Sequence, residues 1–554
     1  MAGGDEHELM LQTAAERQRA LTGGAISLAA VTLFVGLAAF SLLFAGGGAA
    51  IVGILFDPYI LRVLRFTLLQ ALLSTALSVA FAIPVARALA RQPHFLGRIW
   101  IIRLMAVPMG LPVLIGALGL IGIWGRQGLL NSLMMKVGLD EPVSIYGLTG
   151  ILLAHVFFNL PLACRLMLAG FERVPAEYWL MASGLGMRPR SVFRFIEWPA
   201  IRPLIPGIAG LIFMLCATSF TLVLTLGGGP AATTIEVAIY QSLRFDFDPG
   251  RAIALSLLQI ALTAMIFGAM ALFPPAADEG LTEGRDIKRL DGKGPCARMA
   301  DSLLLLIAVL FLGLPLVSII AAGLHADLIK LLQEAIFWQS AGMSLAISLS
   351  AALLSIVLSM AMIRARHAIL SKRRRGVTDR SFFTAMGGAS SMVLLVPPIV
   401  LATGWFMALR PFGDATRFAA VLVVLINMLM ALPFVMRVLE PAYVVHQRRT
   451  QKLAASLGIA SAARLRLIDW PALKKPVLTA LSFAMALSLG DLGAVALFGS
   501  EGFVTLPWLV YSRMGSYRTN DADGLALILG IICLLLTIAG TAGRPRRENG
   551  DGDR

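Results

Sequence analysis

Twelve long apolar stretches constrain this chain more than any other feature of its sequence. Each contains about 20 mostly apolar residues, the length that an α-helix needs to cross a bilayer. They lie near residues 25–46, 66–90, 102–124, 147–170, 203–226, 252–275, 301–323, 341–363, 385–409, 418–438, 476–498 and 523–541. Because lipid cannot satisfy bare backbone N–H and C=O groups, every stretch is predicted to be helical. The predicted fold is therefore an all-α polytopic membrane protein with about twelve transmembrane helices.

The composition agrees with a membrane environment. Hydrophobic residues make up 58% of the chain and charged residues 14%, whereas soluble domains contain about 25% charged residues. The net charge is +15, but the Lys and Arg residues lie in short loops between apolar stretches, a pattern typical of membrane topology rather than of a nucleic-acid interface. We expect membrane lipid as a partner and no nucleic acid.

The distribution of Lys and Arg predicts the orientation. If the N-terminus is cytoplasmic, 36 of the 47 Lys and Arg residues face the cytoplasm. Cytoplasmic loops of membrane proteins carry such an excess. We therefore predict a multi-pass protein of the bacterial inner membrane with both termini in the cytoplasm.

An internal repeat divides the chain into two halves. The sequences ASGLG (182–186) and IEWPA (196–200) recur as AASLG (454–458) and IDWPA (468–472), always 272 residues later. Six helices per half is an even number of crossings, so the halves are predicted to be parallel repeats. The predicted boundaries are 1–275 for the first half, 276–299 for a cytoplasmic linker and 300–554 for the second half.

The repeated segments lie in cytoplasmic loops near 172–202 and 440–475, and they resemble the EAA loops of ABC importer permeases. Their assigned residues are Ala182, Ser183, Gly186, Ile196 and Pro199 in the first copy, and Ala454, Ser456, Gly458, Ile468 and Pro471 in the second. The Glu of the family pattern is replaced by Leu180 and Lys452, and the Leu before Pro is replaced by Trp. The resemblance implies two segments that couple the permease to an ATPase.

Each segment has the composition of a short docking helix. Ala and Ser give a surface that a partner can approach closely, and Gly is typical of the position that ends a helix. Trp and Pro are typical of the membrane interface and of the first turn of the next helix. The alternative for each copy is an ordinary amphipathic helix at the membrane interface.

The sequence contains no G-x-x-x-x-G-K-[ST] phosphate-binding loop. We therefore expect no catalytic residues, no metal site and no cofactor on this chain, with ATP and Mg used by a separate ATPase subunit. This expectation favours a translocation subunit over an enzyme.

Several further stretches resemble the thiamine and thiamine pyrophosphate importer permeases of Gram-negative bacteria. They include GILLAHVFFNLP (150–161), LGGGPAATTIEVAIYQSL (226–243) and ALSLGDLGAVALFG (486–499). The resemblance covers essentially the whole chain. It implies a complex of one fused permease, two copies of a cytoplasmic ABC ATPase and a periplasmic thiamine-binding protein, working by alternating access.

Three residues are candidates for the substrate pathway. Asp491 lies inside a predicted membrane helix, where an ionisable group usually faces a cavity or a partner. A carboxylate suits a cationic substrate such as thiamine, but a structural role for Asp491 is the alternative. Glu236 and Tyr240 can line the entrance or contact the binding protein, and a plain surface or re-entrant segment is the alternative for both.

Three rival functions remain open from the sequence. A ferric-iron ABC importer permease shares the fused plan and both loops. A twelve-helix secondary transporter also has two parallel halves, but it needs no docking loop in each half. A membrane enzyme is the third, although the sequence has no recognisable cluster of His, Cys or carboxylate residues for a metal or nucleophile.

Overall fold

The computed structural model describes residues 14–45, 53, 57–95, 97–138, 144–272, 294–370, 376–390, 395–413, 415–457, 459, 461–499 and 502–542. The first α-helices are α1 (Ala14–Ala45), α2 (Pro58–Arg91), α3 (Arg98–Gly110), α4 (Val113–Trp124), α5 (Leu129–Lys136), α6 (Leu148–Glu172), α7 (Ala176–Gly184), α8 (Pro189–Val192), α9 (Trp198–Ile201), α10 (Ile205–Ala217), α11 (Thr221–Leu226), α12 (Ile235–Arg244) and α13 (Pro249–Ala271). The remaining α-helices are α14 (Pro295–His325), α15 (Leu328–Gln333), α16 (Ala335–Leu370), α17 (Val377–Ser390), α18 (Pro398–Leu409), α19 (Ala419–Ser456), α20 (Ser461–Arg464), α21 (Trp470–Leu489), α22 (Gly493–Phe498), α23 (Leu506–Gly515) and α24 (Thr519–Ala542).

The predicted all-α polytopic fold is confirmed. Among the described residues, ten helical segments are long and apolar enough to cross a membrane, or eleven if the pair 189–201 and 205–217, bent by 61°, forms one span. Four of the twelve predicted stretches are divided. The stretch 102–124 is split between α3 and α4, 203–226 between α10 and α11, and 476–498 between α21 and α22. The stretch 385–409 is split between α17 and α18, with residues 391–394 outside the described part.

The helices form two compact units. Unit 1 comprises the described residues of 1–45, 332–509 and 528–554, and unit 2 those of 46–331 and 510–527. The units therefore cross the predicted half boundary: α1 belongs to unit 1 and α14 to unit 2. The division into tandem halves stays a prediction, and most of the proposed linker, residues 273–293, lies outside the described part of the chain.

Close backbone approach explains how α1 and α14 pack inside their units. A Cβ atom at Gly404 of α18 would lie 2.5 Å from the carbonyl oxygen of Ala38 in α1. A Cβ at Gly119 of α4 would lie 2.6 Å from the carbonyl oxygen of Pro315 in α14. Small residues allow helices to approach in this way in a membrane, where the hydrophobic effect does not drive helix association.

Helices α2 and α16 have the same role in the two units. Each buries a row of small residues against its neighbours, among them Ala71, Ser74, Ser78 and Ala82 in α2, and Ser348, Ala351, Ser355 and Ser359 in α16. Helix α2 packs mainly on α6 in unit 2, and α16 packs mainly on α19 in unit 1. These two helix pairs hold the polar sites described below.

Candidate coupling and translocation sites

The first coupling segment is built on a small hydrophobic core of its own. Ala182, on α7, is buried together with Trp179 and Val192, and the side chain of Ile196 packs against this cluster. The small side chain at position 182 lets α7 lie close to the turn that follows it. Two of the assigned residues, Ala182 and Ile196, therefore hold the segment together rather than face a partner.

Gly186 ends this segment in a left-handed backbone conformation. Its φ is +59°, and the N–H of Met187 donates to the carbonyl oxygen of Ala182 at 3.0 Å. This is the hydrogen-bond pattern of a helix C-terminus capped by glycine. A Cβ at Gly186 would meet no atom within 4 Å, so the need for glycine comes from the backbone angle and not from lack of space.

The second coupling segment repeats this geometry at the end of the long helix α19. Ala454 is buried, and the N–H of Ile459 donates to its carbonyl oxygen at 3.0 Å, as Met187 does to Ala182. Ser456 is exposed, like Ser183 in the first copy. Gly458 lies outside the described residues, so its assigned role stays a prediction.

Both segments expose large apolar side chains next to their buried alanines. The exposed residues are Tyr178, Leu180, Met181 and Leu185 in the first copy, and Leu453 and Leu457 in the second. Clustered apolar residues on a surface mark an interaction site. Leu180, one of these exposed apolar residues, stands at the position where the pattern that the sequence resembles has Glu.

A five-residue π-helix follows each segment at equivalent positions, Phe193–Glu197 in the first copy and Leu465–Asp469 in the second. Each π-helix runs directly into the Trp-Pro pair that begins the next α-helix, with Pro199 and Pro471 in the first turn. Single π-helical turns are rare and are frequently found at functional sites. Ile468, like Ile196, is partly buried within its π-helix.

A buried ion pair ties the first π-helix to α2. The Nε atom of Arg87 lies 2.6 Å from Oε2 of Glu197, whose side chain has no exposed surface. Arg87 also donates through Nη2 to the carbonyl oxygen of Pro189 at 3.0 Å, and its guanidinium lies 5.0 Å from the centre of the Phe193 ring. One arginine thus contacts three points of the segment between α7 and α9.

The second copy has an equivalent acid with a different partner. Asp469, which is 272 residues after Glu197, lies 2.8 Å from Nε2 of His446 in α19. Arg464 lies 3.8 Å from the same carboxylate oxygen and donates to Gln447. Glu197 and Asp469 are not among the candidates predicted from the sequence, although both lie inside the repeated I-[ED]-W-P-A motif.

Asp491 lines a small cavity in unit 1. The cavity is about 10 Å³, room for a single water molecule, and its other polar lining residues are Ser344, Asn427, Ser488 and Thr505. The Asp491 carboxylate accepts hydrogen bonds from the N–H groups of Gly493 at 3.0 Å and Ala494 at 3.4 Å. It thus caps α22, the structural role that the sequence left open, and also faces a cavity.

Two oxygen atoms at this cavity have no hydrogen-bond partner among the described residues. They are Oδ1 of Asn427 and Oγ1 of Thr505, both on buried side chains. Asn427 uses its Nδ2 to donate to Ser488 Oγ at 2.9 Å, which leaves its carbonyl oxygen available. The cavity therefore offers acceptor atoms next to a carboxylate, which suits a cation or a hydrogen-bond donor.

The repeat places a related but different site in unit 2. The 272-residue offset relates His155 to Asn427, Cys216 to Ser488 and Ser219 to Asp491. His155 Nδ1 lies 2.9 Å from Ser74 Oγ, and Asn159 donates to Cys216 Sγ at 3.4 Å. The acid is therefore present in only one of the two related sites.

Glu236 and Tyr240 lie on α12, a ten-residue helix too short to cross a membrane. Both side chains are buried. The Tyr240 ring packs between Phe220 and Phe245, with ring centres 5.5 and 5.7 Å apart, and burial raises the pKa of the Tyr240 phenol above its usual value of 10.0. The two candidates lie in unit 2, whereas Asp491 lies in unit 1.

Comparison with known proteins agrees with these features. Residues 78–278 match the family model for the binding-protein-dependent transport system inner membrane component, a range that includes the first coupling segment. The thiamine transport system permease protein ThiP of Brucella abortus is 48% identical over 95% of this chain and 96% of its own length. The protein of the same name from Escherichia coli is 42% identical over 87% of this chain and 88% of its own.

A more distant relative shares only part of the chain. The molybdenum transport system permease protein ModB of Mycobacterium bovis is 29% identical over 37% of this chain and 76% of its own length. The family description implies an ATPase and a binding protein as partners and a multi-pass location in the inner membrane. With near-complete coverage by several relatives, the chain belongs to the ThiP family of thiamine transport system permease proteins.

Proposed function

We propose that this chain is the membrane-spanning subunit of an ATP-driven ABC importer that moves thiamine and its phosphate esters from periplasm to cytoplasm by alternating access. The observation that carries the proposal is the pair of coupling segments with matching helix ends and matching π-helices. The names of the relatives support thiamine as the substrate.

The two coupling segments support a complex with two copies of a cytoplasmic ABC ATPase. Each segment exposes apolar side chains that an ATPase groove can bury, and each is tied by an acid to a long helix of its own unit. The ATPases bind ATP and Mg. Within the described residues, no group of three or more His, Cys, Asp or Glu side chains is placed to hold a metal ion.

The Asp491 cavity is the proposed contact for the positive charge of thiamine. A cation is attracted by the acceptor groups of this cavity, which are the Asp491 carboxylate, the Asn427 carbonyl oxygen and the Thr505 hydroxyl. A cavity of about 10 Å³ cannot hold the whole vitamin, so substrate passage requires a wider state of this region. Glu236 and Tyr240 remain proposed residues of the pathway through unit 2.

The test uses a substitution that keeps the cap and removes the charge. In Asp491→Asn, the amide oxygen still accepts from the N–H of Gly493 and only the longer bond from Ala494 is lost, so most of the cap is retained while the charge is removed. Uptake of labelled thiamine should fall at least tenfold, about 1.4 kcal/mol of lost stabilisation. Asp57→Asn is the matched control, because Asp57 also caps a helix, through the N–H of Tyr59 at 2.8 Å.

The whole proposal is tested by deleting the gene in a thiamine auxotroph. Growth on trace thiamine and uptake of labelled thiamine should both be lost and should return with the wild-type chain. If thiamine uptake is unchanged and ferric-iron uptake falls, the iron importer is correct and the thiamine proposal is wrong.

A further inference from the structure

Two residues other than glycine have a positive φ in the described part of the chain. They are Phe247 with φ 51° and Tyr517 with φ 59°. Phe247 lies between α12 and α13, and Tyr517 lies between α23 and α24. The two residues are 270 residues apart, close to the repeat offset, and the helix pairs that flank them correspond. The same unusual backbone conformation therefore occurs at the same place in both copies of the repeat, and both residues are in unit 2.

Both residues turn the chain at the end of a ten-residue helix. After α23, the N–H of Arg518 donates to the carbonyl oxygen of Arg513 at 3.0 Å. After α12, the N–H of Asp248 donates to the carbonyl oxygen of Ser242 at 2.8 Å. Glycine is the usual residue at such a turn, because other residues lose free energy in the left-handed region. An aromatic residue in both copies indicates that the ring has a function that outweighs this cost.

Neither ring is buried within the chain. Phe247 is 81% exposed and Tyr517 is 95% exposed. Tyr517 also lines a polar cleft of about 190 Å³ together with Lys330, Arg518 and Asp521. The guanidinium of Arg518 lies 2.6 Å from the Asp521 carboxylate, and Nη1 of Arg513 lies 3.6 Å from the same oxygen, so two arginines share one acid at this cleft. A charged rim around an exposed aromatic ring matches the polar edge and aromatic anchor of a protein interface.

We propose that Phe247 and Tyr517 are the two anchor residues with which the permease holds its periplasmic substrate-binding protein. This inference rests on the proposed function, and it deepens it by naming the docking surface. The Lys and Arg distribution predicts that both turns face the periplasm. The partner that fits is a protein with an apolar recess for each ring and, next to the Tyr517 recess, a carboxylate facing Lys330 and Arg518. Aromatic residues dominate the energetics of protein interfaces in this way.

The experiment measures ATP hydrolysis by the full complex in nanodiscs as the thiamine-loaded binding protein is titrated. Tyr517→Gly and Phe247→Gly remove the rings and also relieve the backbone. The half-saturating concentration of binding protein should rise about 30-fold for at least one variant, while the thermal midpoint of the permease does not fall. Tyr517→Phe should behave like the wild type, because it keeps the ring.

Phe412→Gly is the matched control. Phe412 is 85% exposed on the same predicted side, without a left-handed backbone, and its replacement should leave the titration unchanged. A benzoylphenylalanine crosslinker at position 517 should label the binding protein.

Two results would overturn the inference. In the first, the wild-type complex responds to the binding protein, both glycine variants respond equally, and the crosslinker at position 517 labels lipid only. The rings are then membrane anchors, and the proposed function stands without this docking surface. If the wild-type complex does not respond to the thiamine-loaded protein at all, the proposed function fails together with the docking surface.

Discussion

The Arg87–Glu197 ion pair gives the sharpest test of how the coupling segment is held. The two side chains are 2.6 Å apart, Glu197 has no exposed surface and Arg87 is 22% exposed. Breaking a buried pair by removing one partner costs about 3–5 kcal/mol. Because one fifth of the Arg87 side chain is in contact with solvent, we expect the low end, about 3 kcal/mol, for Arg87→Met.

Removing the acidic partner instead of the arginine should reduce the free energy of unfolding by less. In Glu197→Leu, Arg87 keeps its bond to the Pro189 carbonyl oxygen and can reach solvent, so we expect a loss of about 1–2 kcal/mol. In the double variant, a buried charge is no longer left behind, and replacing a buried pair by apolar residues is often close to neutral. The double variant should therefore be more stable than Arg87→Met, with a coupling energy of about 2 kcal/mol.

The assay is the free energy of unfolding of the purified permease in mixed micelles, measured beside pull-down of the ATPase. The chain offers a matched control in Arg98 and Glu172, which are also 2.6 Å apart but with exposures of 21% and 53%. That pair should contribute less than about 1 kcal/mol. Additive effects for Arg87 and Glu197, or equal effects for both pairs, would refute the reasoning that burial makes this pair important.

Three further predictions follow from the coupling segments and the topology. Gly186→Glu should reduce ATPase pull-down and thiamine uptake without loss of membrane insertion, because it adds about 1–2 kcal/mol of backbone strain and a charge beside the apolar contact. Gly186→Asn should have a milder effect, because asparagine tolerates the same φ. Normal association of the ATPase with both variants would contradict the docking role. Asp469→Asn should weaken the second segment by less than Glu197→Gln weakens the first, because the arginine lies 3.8 Å from Asp469 but 2.6 Å from Glu197, and equal losses in pull-down would argue against this difference. A reporter fused after residue 290 should be cytoplasmic and one near 235 periplasmic, and the opposite result would overturn the predicted orientation.

The two copies of the repeat share their arrangement of helices but differ in some of their polar side chains. Thr67 and Ser344 are equivalent hydroxyls on α2 and α16, and each accepts the N–H of the first residue of a short helix, Ile235 at 3.1 Å and Leu506 at 2.8 Å. Near these shared bonds, His155 is replaced by Asn427 in the second copy. The two copies thus share the bonds that position their short helices, while the polar side chains at positions 155 and 427 differ.

The acids at the two coupling segments, Glu197 and Asp469, also differ in their partners. Glu197 is paired with an arginine, which stays charged at any physiological pH. Asp469 is paired with a histidine, whose charge depends on its surroundings. The two segments are therefore tied to their units through acids with different partners, which gives a physical reason to expect unequal responses to the same substitution.

The sequence by itself determined that the surroundings are lipid, that the fold is helical and where the two repeated segments lie. Length and apolar composition are sufficient for a membrane helix, because the bilayer leaves the backbone no other way to satisfy its polar groups. The repeat could be read because equivalent residues keep a constant spacing along the chain. For the same reason Gly186 could be recognised as a helix end, since the left-handed conformation is a property of the backbone and favours one residue type.

Only the tertiary structure decided which distant residues meet. The acid of the I-E-W-P-A motif is visible in the sequence, but its partner Arg87 is 110 residues away, and no periodicity connects them. The placement of α1 in unit 1 and of α14 in unit 2 likewise depends on close contacts at single glycines, such as Gly404 against Ala38. Local patterns fix helices because their hydrogen bonds are local, whereas ion pairs, cavities and helix packing depend on how the completed helices fit together.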